Sequence, residues 1–341
     1  MAWIGWTVGM SGSTIQAAKR KLRARYSYAK ILDDTEYFGA DLESVLKQYQ
    51  PRRNAEGWSP RLRTDGVLDY STQDSLGMIP RGQRVKPIMF TVEGHLSDMF
   101  AGPVADTAKQ LEAEGKCRHQ PIGYNSAALP FDNDSGVKEL ARLVGSTVMD
   151  NGVPFPAGTP WALGGFSQGG IVVSYFYFDY LAPGKRLNWR LKDLRGVLAY
   201  GNPCRQTDSI APWAVSWISK TSTHGLDPYR RFGLPNYPAK PNNWMDVYRE
   251  GDIFAENSSD KAGAIKAAVY QAVMGDFFSD PFSIAVQLAG VFKEPVAEII
   301  GIITAIISGV TFLADNPSPH YSPYDISGGI DWMRDQLTNG Q

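Results

Sequence analysis

The feature that most restricts the fold of this chain is the segment Gly165-Phe166-Ser167-Gln168-Gly169, a G-x-S-x-G pattern. An apolar run at residues 161–163 precedes it, and the apolar segment 171–176 follows it. Small residues two positions before and after a serine permit a strained strand-to-helix turn that lifts the hydroxyl clear of a sheet. The pattern therefore predicts a nucleophile elbow with Ser167 as the nucleophile.

From Pro87 onward, short apolar runs alternate with helical segments, which is the pattern of an α/β domain with a mostly parallel sheet. The expected strands are residues 88–92, a segment near Gly123, and residues 161–164, 196–200 and 244–248. The expected helices are residues 105–114, 137–150, 170–180 and 327–337.

Residues 1–85 have the pattern of a small helical domain. We expect a helix over residues 13–29 opened by a serine cap, a second over 42–49 and a third after Ser71. A weak internal repeat aligns residues 38–46 with 68–76, each copy a turn followed by a helix. The basic linker 81–86 then separates a domain at 1–85 from an α/β domain at 86–341.

Composition excludes several classes of protein. With 341 residues, 43% apolar and 20% charged, the chain is neither disordered nor fibrous. The net charge is −1, and residues 1–86 carry 14 Lys/Arg against 9 Asp/Glu. This basic excess is far below the clustered positive charge of nucleic-acid-binding proteins, so no nucleic-acid partner is expected. Two cysteines, Cys117 and Cys204, cannot form a disulfide framework or a zinc site, and no cofactor motif is present. We expect no cofactor, no metal and no secretory signal, and synthesis in a reducing cytoplasm.

A serine nucleophile needs a histidine base, and on a strand-to-helix elbow the chain order is serine, acid, histidine. Only His224 and His320 follow Ser167. His320 lies in the proline-rich segment 316–323, just before the last expected helix, and is the expected base. His224 is interpreted as a histidine of a surface loop.

The acid should follow the carboxyl end of a strand. Asp252 does so after Gly251, whose freedom lets the chain turn toward the site, and it is the expected acid. Asp246, inside the expected strand, and Glu250, expected to face solvent, are the rivals. The oxyanion needs two N–H donors, which we assign to Gln168 and to His95, in the loop after the first strand.

Residues 299–314 form a sixteen-residue apolar stretch. This is short of the ~20 residues that a membrane-spanning helix needs, so no integral membrane association is expected. Two interpretations of residues 299–314 remain, a helix of the core and a lipid-facing lid.

Five segments carry a resemblance to a known family: GFSQGG at Ser167, TVEGH ending at His95, YGNPCRQ from Tyr200, REGDIFA around Asp252 and PHYSPY around His320. Over about residues 87–341 the chain resembles the mycobacteriophage lysin B family of cutinase-like α/β-hydrolases. The resemblance implies a three-layer fold and hydrolysis of the ester between mycolic acids and arabinogalactan. It places Ser167, Asp252 and His320 at the positions of nucleophile, acid and base.

The same resemblance implies that residues 255–315 are a helical, lipid-facing insertion, and that the protein is released to act on the mycobacterial cell envelope during lysis. The repeat in residues 1–85 resembles peptidoglycan-binding-like domains, which would make peptidoglycan a partner, although Asp33-Asp34-Thr35 departs from their usual first turn. A purely packing role for this domain remains open. Two other functions also remain open: a general lipase or cutinase, and a non-catalytic wall-binding virion protein.

Overall fold

The computed structural model describes residues 3–80, 85–128, 130–274, 286, 289–290, 297–300, 319–320 and 322–338. The chain divides into two compact units. The first comprises Ala2–Lys86 with Ser146–Ala157, and the second comprises Pro87–Gly145 with Gly158–Gln341. Residues 146–157, which were expected in the α/β domain, belong instead to the first unit, where the Tyr70 N–H donates to the Asn151 carbonyl.

The first unit is helical, with α1 (Ser13–Arg25), α2 (Ala40–Ala55) and α3 (Tyr70–Ser75) around one apolar cluster. The expected serine cap of α1 is wrong, because Gly12 holds the N-cap position and no side chain bonds there. Asp69 does cap α3, since its carboxylate accepts from the Thr72 N–H at 2.7 Å. The second helix is longer than expected because it continues through Pro51.

The second unit contains five parallel strands in the order β2-β1-β3-β4-β5. They are β1 (Ile88–Val92), β2 (Arg118–Pro121), β3 (Trp161–Phe166), β4 (Leu194–Tyr200) and β5 (Trp244–Val247). Every residue of β1 and β3 is buried, which explains their continuous apolar runs. The edge strand β2 precedes the expected position because its sequence, RHQP, has no apolar run to reveal it.

Helices α4 (Pro103–Ala113), α5 (Asn133–Val144), α6 (Gln168–Phe176), α7 (Lys261–Met274) and α8 (Ser327–Thr338) complete the described part of this unit. Helix α5 ends at Val144, six residues before the expected end, where Gly145 takes the C-cap position. A core cluster joins side chains of α4, α8 and the sheet, among them Val104, Leu198 and Met333. The predicted α/β-hydrolase fold with a central parallel sheet is therefore confirmed.

Most of the expected insertion at 255–315 lies outside the described residues, as do residues 301–314 of its apolar stretch. Within the part that the structure does describe, none of the helices combines the length and apolar character needed to cross a membrane. Cys117 and Cys204 are both buried thiols.

Candidate active site

Ser167 lies on the turn between β3 and α6 with a φ of 56° and a ψ of −120°, a strained conformation for a residue with a side chain. Two glycines of the motif are required by close packing. A Cβ on Gly169 would lie 1.9 Å from the Val92 carbonyl oxygen, and one on Gly165 would lie 2.2 Å from Cγ2 of Val173. The motif therefore serves to bring helix α6 against strand β1 while Ser167 occupies the tip of the turn.

His320 and Asp252 form a buried pair at the carboxyl end of the sheet. His320 Nδ1 is 2.8 Å from Asp252 Oδ1, and both side chains are fully buried. The imidazole stacks on Phe166 with ring centroids 5.2 Å apart, and Phe254 packs on it at 4.5 Å. Because Phe166 immediately precedes Ser167, this packing holds the histidine beside the nucleophile elbow.

Hydrogen bonds to Asp252 keep this buried carboxylate charged. Burial alone would raise its pKa, but the charge and hydrogen bond of His320 and the N–H groups of Ala255 and Phe254 outweigh burial and lower the pKa below its usual value. The two N–H groups lie 3.1 and 2.9 Å from Oδ1. A carboxylate can only accept, so His320 holds its proton on Nδ1, and Nε2 is the basic nitrogen.

The rival acids occupy other environments. Asp246 is buried in a network in which Asn202, Ser209 and Trp244 donate to its carboxylate at 3.1, 2.7 and 3.2 Å. Glu250 is exposed, and its carboxylate accepts from the Ser219 hydroxyl at 2.6 Å. Neither makes a hydrogen bond with a histidine in the described part of the chain.

His224 is not the surface loop residue expected from the sequence, because its side chain is only 9% exposed. Its backbone pairs with Asn257 in an isolated antiparallel bridge. Nδ1 is 2.7 Å from the Gly225 carbonyl oxygen, and Nε2 is 3.4 Å from the Ser259 hydroxyl. The structure thus pairs Asp252 with His320 and places His224 in a separate buried contact.

The loop after β1 passes directly against the nucleophile. A Cβ on Gly94 would lie 2.9 Å from Cβ of Ser167, so this position requires glycine, and His95 follows it. In the described part of the chain, no hydrogen bond is made by the N–H groups of His95 and Gln168, the two assigned oxyanion donors. Their role remains a prediction, and their position beside Ser167 is compatible with it.

Tyr324 is a residue of the site that sequence reasoning missed. Its hydroxyl donates to Asp252 Oδ2 at 3.0 Å, on the carboxylate oxygen opposite His320. Burial beside the Asp252 charge raises the pKa of Tyr324 well above its usual value, so the hydroxyl keeps its proton and donates. The two residues are 72 positions apart. No sequence pattern indicates this contact, apart from the position of Tyr324 four residues after His320.

Arg249 holds the loop that carries His320. Its guanidinium donates to the carbonyls of Pro319 and Ser322 at 3.1 and 2.8 Å, and also to the carbonyl of Pro323. It lies over the Tyr324 ring, 4.3 Å from the centroid. Arg249 therefore ties the segment after β5, which carries the acid, to the segment that carries the histidine.

Arg205 stabilises the turn that follows Asp252. Its fully buried guanidinium donates to the carbonyl of Ala255 at 2.8 Å and to the hydroxyl of Thr223 at 2.7 Å. It also lies 4.0 Å from the centroid of the Tyr248 ring. Because the Ala255 N–H donates to Asp252, this guanidinium fixes the backbone turn that holds the carboxylate.

Comparisons with known proteins agree with this arrangement. No family model matches the chain. The chain is 31% identical to the endolysin B of Mycobacterium phage L5 over 266 residues, which cover 73% of this chain and 98% of the relative. It is 31% identical to the endolysin B of Mycobacterium phage D29 over 240 residues, 67% of this chain and 90% of the relative.

The crystal structure of lysin B from mycobacteriophage D29 superimposes with a TM-score of 0.54 at 29% identity, covering 73% of this chain and 99% of that one. The matched share is close to the size of the second unit, Pro87–Gly145 with Gly158–Gln341. The likeness therefore extends over nearly the whole length of these relatives.

The Tyr324 hydroxyl generates a pH-dependent prediction. Removing it in Tyr324→Phe takes a donor from charged Asp252, which makes this carboxylate more basic and stabilises the imidazolium of His320. The acidic limb of kcat/KM for a short ester should therefore move to higher pH, and kcat should fall about tenfold. The measurement is the pH profile of ester hydrolysis between pH 4 and 9.

Tyr200→Phe is the matched control, since the Tyr200 ring packs on Tyr324 with centroids 5.0 Å apart but does not donate to Asp252. Its acidic limb should stay in place. An unmoved limb in Tyr324→Phe, or equal shifts in both variants, would contradict the role given to the Tyr324 hydroxyl.

Proposed function

Because the chain belongs to the endolysin B family of mycobacteriophages, we propose that it is a serine esterase whose Ser167, Asp252 and His320 form a catalytic triad. The observation that carries the proposal is the buried pair of His320 Nδ1 and Asp252 Oδ1, 2.8 Å apart, packed against the residue before Ser167. The proposed substrate is the ester that joins mycolic acids to arabinogalactan in the mycobacterial cell wall.

In the proposed mechanism, His320 Nε2 takes the proton of the Ser167 hydroxyl as its oxygen attacks the ester carbonyl. Asp252 holds the imidazole in the required tautomer and stabilises the imidazolium. The N–H groups of Gln168 and His95 hold the tetrahedral oxyanion. His320 then protonates the departing sugar hydroxyl, which leaves an acyl-serine. A water molecule, deprotonated by His320, hydrolyses this intermediate and releases the free acid.

Family membership and composition support the mycolyl substrate. The insertion between the acid and the base is rich in apolar residues over 255–315, which suits contact with long acyl chains. Helix α7, which lies in the first part of this insertion, buries Ile265 and Tyr270. Release of the protein at lysis would bring it to the cell envelope, where this ester lies.

Ser167→Ala tests the proposal. The variant should lose at least about 10⁴-fold in kcat/KM toward a short p-nitrophenyl ester and should release no mycolic acids from purified mycolyl-arabinogalactan. Ser174→Ala is the matched control, because it removes the same hydroxyl from a serine seven positions further along the chain. Ser174 lies on α6, where its hydroxyl donates to the Gly170 carbonyl. It should retain both activities.

Wild-type protein that cleaves the short ester without releasing mycolic acids would be a general carboxylesterase. Wild-type protein with neither activity would be a non-catalytic wall-binding protein. Either result would overturn the proposed substrate, and the second would also overturn the triad.

We also propose that the first unit, Ala2–Lys86 with Ser146–Ala157, brings the enzyme to peptidoglycan. The endolysin B of phage L5 is matched over 98% of its length by only 73% of this chain, which leaves about a quarter of the chain for an additional task. The excess of basic residues up to Lys86 favours an acidic polymer as partner.

Charge reversal tests this attachment. Replacing the exposed residues Lys30, Arg52 and Arg61 by Glu should lower the fraction of full-length protein bound to purified peptidoglycan about tenfold, because like charges would face the stem-peptide carboxylates. The matched control reverses Lys109, Lys138 and Lys185, exposed lysines of the second unit, and should keep binding. No binding by the wild type, or equal losses in both variants, would contradict a specific role of the first unit.

A further inference from the structure

A buried glutamate lies at the start of the loop that carries the expected oxyanion donor. Glu93 is 2% exposed, and it directly precedes Gly94 and His95. Its backbone carbonyl lies against the nucleophile elbow, because a Cβ on Gly169 would be 2.9 Å from this oxygen. The Tyr124 hydroxyl donates to the same carbonyl at 2.8 Å. Glu93 therefore joins the loop after β1 to the turn that carries the nucleophile.

The side chain of Glu93 holds the beginning of helix α4. Its Oε1 accepts from the Ala105 N–H at 2.8 Å. The N-cap residue of this helix is Gly102, which has no side chain that could accept such a bond. Glycine is required there, because a Cβ on Gly102 would lie 2.3 Å from Glu93 Oε2. The carboxyl group thus takes the place of an N-cap side chain and connects α4 to the loop after β1.

A cavity of about 250 Å³ separates part of this loop from residues 122–126. Glu93 and residues 97–99 line it on the side of the loop. Because the loop is not packed closely against the neighbouring segment there, its position depends on a few hydrogen bonds. These are the bonds of Glu93 and two bonds to the Ser126 carbonyl. The cavity also gives the carboxyl proton of Glu93 a route to water.

The carboxyl group of Glu93 is held in its neutral form. Oε2 is buried and has no hydrogen-bond partner in the described part of the chain, so a negative charge there would have no donor to stabilise it. Burial raises the pKa of Glu93 to about 8, and the charge of Asp106 also raises it. The N–H groups of Ala105 and Val104 and the charge of Lys109 lower it, but burial outweighs them. Since Oε1 accepts from an N–H, the proton resides on Oε2.

We propose that Glu93 is a positioning residue: its neutral carboxyl group anchors the loop that carries the His95 N–H, and loss of its proton weakens stabilisation of the oxyanion. The inference rests on the proposed function. A buried carboxylate two residues before His95 would repel the negative charge that develops on the ester oxygen. The chemical step should therefore slow as Glu93 loses its proton. Binding of the uncharged ester should change little.

Other titratable groups near Glu93 affect how the experiment is designed. In the described part of the chain they are Asp106 and Lys109 of α4, Asp98 and His95 of its own loop, and Tyr124. Burial lowers the pKa of His95, so this ring is neutral throughout the alkaline range. Asp106 and Lys109 are exposed, so they can be replaced without disturbing the core.

The test is the pH dependence of kcat and KM for a short p-nitrophenyl ester between pH 6 and 9.5. In the wild type, kcat should fall at least about tenfold between pH 7 and 9.5 at nearly constant KM, with a midpoint near pH 8. Glu93→Gln keeps an acceptor for the Ala105 N–H but cannot ionise. Its kcat should stay within about twofold over the same range.

Asp69→Asn is the matched control. Asp69 is also a buried carboxyl group that caps a helix, since it accepts from the Thr72 N–H at the start of α3, and burial raises its pKa. It belongs to the first unit and not to the loop after β1. This variant should show the same alkaline fall in kcat as the wild type.

Two variants on α4 change the charge near Glu93 without touching its carboxyl group. Asp106→Asn removes a negative charge that favours the neutral form, so the midpoint of the fall should move to lower pH. Lys109→Gln removes a positive charge and should move the midpoint to higher pH. A merely structural role of Glu93 would not produce opposite shifts.

A wild-type kcat that stays constant up to pH 9.5, or an alkaline fall that persists in Glu93→Gln, would overturn the inference. If Glu93→Gln does not fold, an unmoved midpoint in both α4 variants would overturn it. In each case hydrolysis by the wild type, its loss in Ser167→Ala and the release of mycolic acids would leave the proposed function in place. A wild type that hydrolyses no ester would overturn both.

Discussion

The hydrogen bond between His320 and Asp252 is the interaction on which the rest of the site depends. A charged carboxylate with no exposed surface is costly, and it is held here by the imidazole, two backbone N–H groups and the Tyr324 hydroxyl. Each donor comes from a segment that must itself be fixed. Arg205 fixes the turn after Asp252, and Arg249 fixes the loop around His320. Two arginines therefore stabilise the geometry of a pair that neither of them touches.

The elbow imposes a second constraint, which is steric. Ser167 adopts a positive φ, and the residues two positions before and after it must be glycine, because a side chain on Gly169 would meet the β1 backbone and one on Gly165 would meet Val173 of α6. Gly94 extends the same requirement to the loop after β1, because any side chain there would meet Ser167. The close approach brings the His95 and Gln168 amides to the nucleophile. The same packing also buries the side chains of both residues.

The sequence predicted those parts that are encoded locally. The buried strands β1 and β3 are continuous apolar runs, and the elbow is a contiguous motif, so both could be located from the residues alone. Chain order then indicated Asp252 and His320, which the structure brings together. Strand β2 could not be placed correctly, because an edge strand with the sequence RHQP has no apolar signal. The burial of His224 was missed because it depends on pairing with Asn257, 33 positions away. Tyr324 and Arg249 act through contacts across more than 70 positions, which no local pattern encodes.

Covalent labelling by a phosphonate ester that traps activated serines, followed by peptide mass spectrometry, tests the catalytic triad. We expect one adduct per chain, on Ser167 and on none of the other 24 serines. We also expect a labelling rate at least about 10²-fold lower in Asp252→Asn, in which the imidazole loses the carboxylate that fixes its tautomer. An adduct on another serine, or equal labelling rates in wild type and Asp252→Asn, would contradict a triad of Ser167, His320 and Asp252.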